Sequence, residues 1–162
     1  MRFATVLLLS LFLLPSARAQ DCTATDEIAQ LTSNAFANLK SDVGNGQSFT
    51  APCTGVIQGV EVDINSITEG PIVGTLRIMS GNGSGATIAT APYSFSETGF
   101  QRIPMPSLVA VEAGQIYTYF LDPPTSGSGN TNWFNGNPYT GGGAYSGPNA
   151  STLTLFGADA TF

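Results

Sequence analysis

The sequence predicts an all-β domain: a two-sheet antiparallel sandwich, jelly-roll-like, preceded by a short N-terminal arm or helix. From residue 47 onward, short alternations of apolar and polar residues are separated by Gly, Pro, Asn and Ser, which is typical of antiparallel strands joined by turns. Seven or more such runs in about 115 residues cannot lie in one open sheet without exposing an apolar face. Two stacked layers are therefore expected.

The individual strands are assigned where the alternation is clearest. Val60, Val62 and Ile64 alternate with Glu61 and Asp63, so one face of that run should be buried. Residues 117–121 are apolar on both faces, which indicates a central strand. The expected strands span residues 47–51, 56–64, 73–80, 87–95, 100–105, 115–121 and 153–156, with shorter ones near Trp133 and Tyr145.

The chain before residue 46 differs in character. Residues 1–19 have the features of a secretory signal: Arg2, an apolar run and a small-x-small exit. The apolar run is about nine residues long, well short of the roughly 20 that a membrane-spanning helix needs. Apolar side chains at 25–41 recur at helical spacing, which predicts a short helix or an irregular arm. The expected organisation is a signal peptide at 1–19, an arm at 20–45 and a β-sandwich at 46–162.

Cys22 and Cys53 are the two cysteines of the chain. Export to an oxidising compartment predicts one structural disulfide between them, which would tie the arm to the domain. Because the chain has no Cys-x-x-Cys, a redox or metal function is not expected for them. The predicted location is secreted, either extracellular or periplasmic, without a membrane span.

Charge excludes several classes of function. After residue 19, Lys40, Arg77 and Arg102 stand against eleven carboxylates, a formal charge of about −8 that argues against a nucleic-acid partner. The chain has no histidine, which removes Ser/His/Asp and Cys/His catalysis and the commonest metal ligand. No catalytic group, metal site or cofactor is predicted.

Two further patterns give weak signals. GNGSGA at 81–86 satisfies the dinucleotide fingerprint, but a strand-like run rather than a helix follows it, so a loop is expected. A glycoside hydrolase would need two carboxylates facing each other across a cleft. Nothing in the spacing of the candidate carboxylates pairs them; they are Asp63, Glu69, Glu97, Glu112, Asp122 and Asp159.

The segment 130–145 holds the only Trp, two of the five Tyr and four Asn. Aromatic faces stack on sugar rings while amides bind hydroxyls, so this composition favours weak carbohydrate binding. The alternative is that these aromatic residues belong to the core or to cross-strand pairs, with the glycines in tight turns. The candidate ligand-binding residues are Trp133, Tyr139, Tyr145, Asn132, Asn135 and Asn137.

Several motifs occur in an order that resembles β-sandwich, jelly-roll-like accessory modules of bacterial secreted and cell-surface proteins. They are GQSFTA at 46–51, CTGVI at 53–57, GTLRI at 74–78, VEAGQIY at 111–117, YTGG at 139–142, and Asp159. The resemblance covers about residues 44–162. It implies a module for binding or anchoring rather than catalysis, and it implies no catalytic residues.

The sequence therefore predicts a secreted, non-enzymatic module that recognises a glycan or a cell-surface partner. One alternative is a structural subunit that self-associates at a surface or in a fibre, through its arm or an edge strand. The other is a hydrolase that uses two carboxylates.

Overall fold

A computed structural model describes residues 21–23, 28–136 and 138–162. The expected signal peptide at 1–19 lies outside the described residues, and so does Asn137. Every regular element in the described part is a β-strand, which confirms the all-β class. None of the described residues forms a helix long and apolar enough to cross a membrane.

Ten strands follow one another along the described chain. They are β1 (Ala35–Leu39), β2 (Gly44–Thr50), β3 (Gly55–Ser80), β4 (Thr87–Phe95), β5 (Gly99–Val111), β6 (Ile116–Leu121), β7 (Ser126–Asn135), β8 (Ala144–Gly147), β9 (Thr154–Phe156) and β10 (Ala158–Ala160). The expected strand at 87–95 has the observed bounds, the two expected at 56–64 and 73–80 form the single strand β3, and β1 and β10 were not predicted.

Pairing joins all ten strands into one antiparallel sheet that curls into a half-barrel. Its path runs β1-β7-β3-β6-β2-β8-β9, with β10 paired to β7 and both β4 and β5 paired to β3. The long strand β3 accounts for this continuity, because its first part pairs with β5, its middle with β7, and its end with β4 and β6. Two separate stacked sheets are therefore not confirmed.

The polar segment 65–71 lies inside β3, where the sequence suggested a break between two strands. It keeps its pairing with β7 through three register shifts between Ile64 and Val73. Gly70 within it has a positive φ of 46°, which glycine adopts without steric cost. Such irregularities bend a strand without ending its ladder, so one strand serves both halves of the curled sheet.

The helix suggested for 25–41 is wrong for the described part of that segment, where no helix forms and residues 35–39 are β1. Alternate side chains of β1 face inward, with Leu39 buried and Phe36 exposed, which is the period of a strand. β1 pairs along its whole length with β7. Ladder pairing with a distant strand outweighs the helix propensity of a segment rich in Thr, Ser and Asn.

The core lies on the inner face of the curled sheet. Val60, Val62 and Ile64 are buried as the alternation predicted. In β6 every residue from Tyr117 to Leu121 is buried, which confirms the central strand. The largest fully buried side chains are Phe95, Phe120, Leu39, Ile64, Ile72, Leu76, Ile78, Met79, Ile103, Leu121, Gln47 and Val62.

Residues 158–162 are all buried. Phe162 exchanges two backbone hydrogen bonds with Gln30, at 3.0 and 3.1 Å. Its ring meets those of Tyr119 and Tyr139 edge to face, with centroids 5.6 and 5.7 Å apart. The segment is thus part of the core rather than a tail.

A buried polar network ties this segment to β2. Gln47 Nε2 donates to Asp159 Oδ1 at 2.9 Å, and the backbone N–H of Tyr139 donates to Asp159 Oδ2 at 2.8 Å. The backbone N–H of Ala160 donates to Gln47 Oε1 at 3.0 Å. Because buried polar groups are costly without partners, these bonds fix the position of β10.

Cys22 and Cys53 form the expected disulfide, 31 residues apart. The backbone N–H of Cys22 also donates to the Thr54 carbonyl at 2.7 Å. The start of the described chain is therefore held to the turn before β3.

Replacing both cysteines with serine should lower the free energy of unfolding by about 3–4 kcal/mol, because the open chain loses more entropy on folding than the closed loop does. Urea unfolding of the double variant beside the parent protein measures the difference. A loss under about 1 kcal/mol would mean that the bond does not constrain the unfolded chain in this way.

Burial raises the pKa of four tyrosines, Tyr93, Tyr119, Tyr139 and Tyr145. Their folded pKa values lie above the unfolded value of about 10, so the stability they contribute is complete below about pH 10 and is lost as the pH rises further. We expect tyrosinate absorbance to appear together with loss of the near-ultraviolet dichroism. Ionisation of these four tyrosines near pH 10 with the fold intact would contradict this.

Candidate functional site

Trp133, the first of the predicted ligand-binding residues, packs inside the protein. It is 5% exposed, and its Nε1 donates to Thr131 Oγ1 at 3.0 Å. Its ring meets that of Phe156 edge to face, with centroids 5.8 Å apart. The flat face of this indole is therefore not presented to solvent.

Tyr145 and Tyr139 also serve packing. Tyr145 is buried, and its hydroxyl donates to Asn82 Oδ1 at 2.8 Å. Tyr139 is half-buried, and its hydroxyl accepts a bond from the backbone N–H of Thr50 at 3.3 Å. These positions correspond to the alternative interpretation of the segment 130–145, in which its aromatic residues pack in the core or across strands.

The predicted asparagines occupy different surroundings. Asn135 is exposed near the end of β7, where its backbone N–H donates to Asn34 Oδ1 at 2.6 Å. Asn132 is half-buried on the outward side of β7, opposite in direction to Trp133, because neighbours along a strand face opposite sides. Asn132 is the member of the predicted set that lies beside outward-facing aromatic and acidic side chains.

Those side chains form a row across four strands. Phe36 on β1 is the register partner of Asn132 on β7. Asn132 Nδ2 donates to Asp63 Oδ2 on β3 at 2.7 Å. Asp63 is in turn the register partner of Phe100 on β5. We call these four residues the aromatic row. The backbone of Thr161 lies between Asn132 and Asp63, because its N–H donates to the Asn132 carbonyl at 3.0 Å and its carbonyl accepts from the Asp63 N–H at 3.3 Å. The strand spacings therefore place the two rings on the order of 15–20 Å apart.

Both phenyl rings of the row are unusually accessible. Phe36 is 63% exposed and Phe100 is 45% exposed. The strand period dictates this, since residues such as Leu39 and Ile103 take the inward positions of the same strands. A large apolar patch rimmed by polar residues marks an interaction site, whereas single exposed apolar residues are ordinary. These two rings are of interest because they lie on one face of the sheet with the bonded Asn132 and Asp63 between them.

Polar side chains occupy the neighbouring positions on this side of the sheet. Asn38 and Asn130 are register partners across β1 and β7, and Asn130 Nδ2 donates to Ser66 Oγ at 2.9 Å. Beyond the other side of the row, Glu61 and Arg102 are partners across β3 and β5. We call the whole surface the open face: Phe36, Asn38, Glu61, Asp63, Ser66, Phe100, Arg102, Asn130 and Asn132.

The open face has the chemistry of a binding surface. Its rings can stack on the apolar faces of sugar rings, while its amides and carboxylates can exchange hydrogen bonds with hydroxyls. The bond between Asn132 and Asp63 holds both side chains in place before a ligand arrives. Less side-chain entropy is then lost on binding.

The carboxylates considered for hydrolysis lie in unlike surroundings. Asp122 accepts bonds from Arg77 Nε on both oxygens at 2.8 Å, and this bond raises the pKa of Arg77. Asp159 is buried in the network with Gln47. In the described part of the chain, no three His, Cys, Asp or Glu residues are grouped so as to hold a metal ion.

A groove of about 830 Å³ lies elsewhere on the surface, where β4, β5 and β6 meet. Ile88, Leu108 and Ile116 form its aliphatic walls, and Glu112 lies at its rim. Leu108 is 68% exposed and lies eight residues from Phe100 along β5, on the order of 25 Å in an extended strand. It is therefore a suitable control position for tests of the open face.

Compared with models of protein families, with curated proteins and with solved structures, the chain matches none. Function is therefore inferred from the geometry of the open face and not from similarity to known proteins.

Sequence reasoning missed Phe36 and Phe100, and it considered Asp63 as a catalytic carboxylate but not as a binding residue. Each lies in a different strand, and only strand pairing brings the three to one level of the sheet. A usable signal was present for Phe100, a large aromatic residue that is in phase with the charged Arg102 on the outward side of its strand.

Proposed function

We propose that the protein is a secreted, non-enzymatic module that binds carbohydrate weakly through the open face. The observation that carries the proposal is the pair of exposed rings, Phe36 and Phe100, on either side of the bonded Asn132 and Asp63. The two rings supply stacking surfaces, and the polar pair between them supplies partners for hydroxyls. The proposed ligand is of the class that the sequence predicted, but the proposed binding site is the outer surface of the sheet and not the aromatic side chains of the segment 130–145.

Two features support secretion and a binding role. The disulfide between Cys22 and Cys53 is of a kind that persists in oxidising compartments, as the signal features at 1–19 would require. The buried Asp159 and the Arg77-bound Asp122 are engaged in structural contacts, which favours recognition over hydrolysis. The jelly-roll-like sandwich implied by the resemblance remains a prediction.

Binding should be weak because the open face lies on a sheet surface and not in a cleft. A stacked ring contributes about 1 kcal/mol, which corresponds to about fivefold in affinity. Phe36→Ala and Phe100→Ala should each weaken binding about fivefold, and the double variant should weaken it about twentyfold or more. Isothermal titration with soluble oligosaccharides chosen from a glycan array measures these ratios.

Leu108→Ala is the matched control, since it removes from the groove an apolar side chain about as exposed as Phe36. It should leave affinity within about twofold of the parent. The proposal fails if no glycan binds, or if Leu108→Ala weakens binding as much as Phe36→Ala does. Urea unfolding of each variant checks that the fold is retained.

A subunit that self-associates is the second candidate. The edge strand β9 exposes Leu155 and Phe156, and an unpaired edge of this kind can add a strand from another chain. With only three residues, β9 offers a short edge. Sedimentation over rising concentration decides the matter: association that Leu155→Lys abolishes favours this candidate, and a strict monomer eliminates it.

A further inference from the structure

The centre of the aromatic row carries a negative charge, and we infer that the ligand of the open face is a polysaccharide with free amino groups, of the β-linked glucosamine type. The inference rests on the proposed function, because it concerns the ligand of the same face. It adds the charge of that ligand to the class of molecule already proposed.

Asp63 supplies the first step. Its carboxylate lies between the two rings and accepts a bond from the neutral amide of Asn132. Among the described residues, no Lys or Arg nitrogen is within ion-pair distance of Asp63. An amide hydrogen bond orients a carboxylate but leaves its charge in place. A bound ammonium group would neutralise that charge.

The surrounding charges leave the open face net negative. Glu61 lies two residues from Asp63 on the same side of β3, and Arg102, the register partner of Glu61, offsets one of these two negative charges. Beyond residue 19 the chain holds three basic residues against eleven acidic ones. Such a field attracts cationic ligands and repels sulfated or uronic polymers.

The phenyl rings suit the same ligand. An aromatic face carries a negative quadrupole, so it attracts an ammonium group as well as the C–H face of a sugar. Phe36 and Phe100 can therefore hold amino-sugar units while Asp63 pairs with an ammonium between them. An acetylated amine carries no charge. If it bound beside Asp63, the Asp63 carboxylate would lose water contacts without gaining a counter-ion.

The test compares glucosamine oligomers with N-acetylglucosamine oligomers of equal length, by isothermal titration at a mildly acidic pH that keeps the amines of the glucosamine oligomer protonated. We expect the amino oligomer to bind at least about tenfold more tightly. Asp63→Asn keeps an acceptor for Asn132 and removes the charge. It should weaken binding of the amino oligomer about tenfold and change binding of the acetylated oligomer less than about twofold.

Glu112→Gln is the control, because it removes one exposed negative charge at the groove, twelve residues along the chain from Phe100. It should change the affinity of the amino oligomer by less than about twofold. Equal binding of both oligomers, with no effect of Asp63→Asn, would overturn the inference and leave the proposed function standing. If neither oligomer nor any other glycan binds, the proposed function fails as well.

A lysine homopolymer completes the comparison. If it binds as tightly as the glucosamine oligomer and the double variant Phe36→Ala/Phe100→Ala weakens neither, the open face attracts cations without recognising sugar, and the inference is overturned. Loss of glucosamine binding alone in that double variant supports the inference.

Discussion

Gln47→Leu should lower the free energy of unfolding by about 3–5 kcal/mol, among the largest effects of any single substitution in this protein. The side chain keeps its approximate size, but Asp159 loses the bond from Gln47 Nε2, and the N–H of Ala160 loses its acceptor. Both Gln47 and Asp159 are fully buried. A buried carboxylate that loses a partner cannot exchange it for water.

Urea unfolding of Gln47→Leu measures the effect, and Gln58→Leu is its control, because Gln58 carries the same side chain at an exposed position of β3. The control should stay within about 0.5 kcal/mol of the parent. The double variant Gln47→Leu/Asp159→Leu should lose less than the sum of the single losses, since it removes both partners. Strict additivity would contradict the network.

Trp133→Ala should lower the free energy of unfolding by about 3–5 kcal/mol, because it empties a large volume between β1, β7 and β9. The substitution also leaves Thr131 Oγ1 without the indole donor, and Phe156 loses its edge-to-face partner. The loss is one of packing. The lower stability of Trp133→Ala is therefore not evidence that Trp133 contacts the ligand.

Trp133→Phe separates stability from recognition. It fills most of the same space, should cost less than Trp133→Ala, and should leave affinity for oligosaccharides within about twofold. Unfolding curves and titrations on the same sample test both points. If this folded variant loses glycan binding, the ligand contacts Trp133 on the opposite side of β7 and the open face is not the site.

The elements that the sequence predicted are those in which local pattern and burial agree. Val60, Val62 and Ile64 read as one face of a strand and are buried. Two cysteines left one possible disulfide, which the structure confirms. The run 117–121 is apolar on both sides and lies in the middle of the sheet.

The features that the sequence did not predict depend on pairing with strands far away along the chain. β1 is a strand because Ala35 to Leu39 pair with β7, whose residues come almost a hundred positions later. β3 continues through a polar segment because β7 pairs with it there. The composition of these segments is typical of loops and gives no sign of their pairing with β7.

The binding residues show the same limit. Composition drew attention to Trp133 and Asn132 together, but neighbours on a strand face opposite sides, so one is buried and the other lies on the open face. Which of the two faces is the outer one depends on how the sheet curls. The partners of Asn132 across the sheet, Phe36 and Asp63, were therefore beyond reach of a linear pattern.

The most direct test of the open face is a two-dimensional amide NMR titration with a glucosamine oligomer. We expect chemical-shift changes and signal broadening to concentrate at Phe36, Asp63, Phe100 and Asn132. Residues 139–145 and Leu108 should keep their shifts. Changes centred on 139–145, with those four amides unmoved, would contradict binding at the open face.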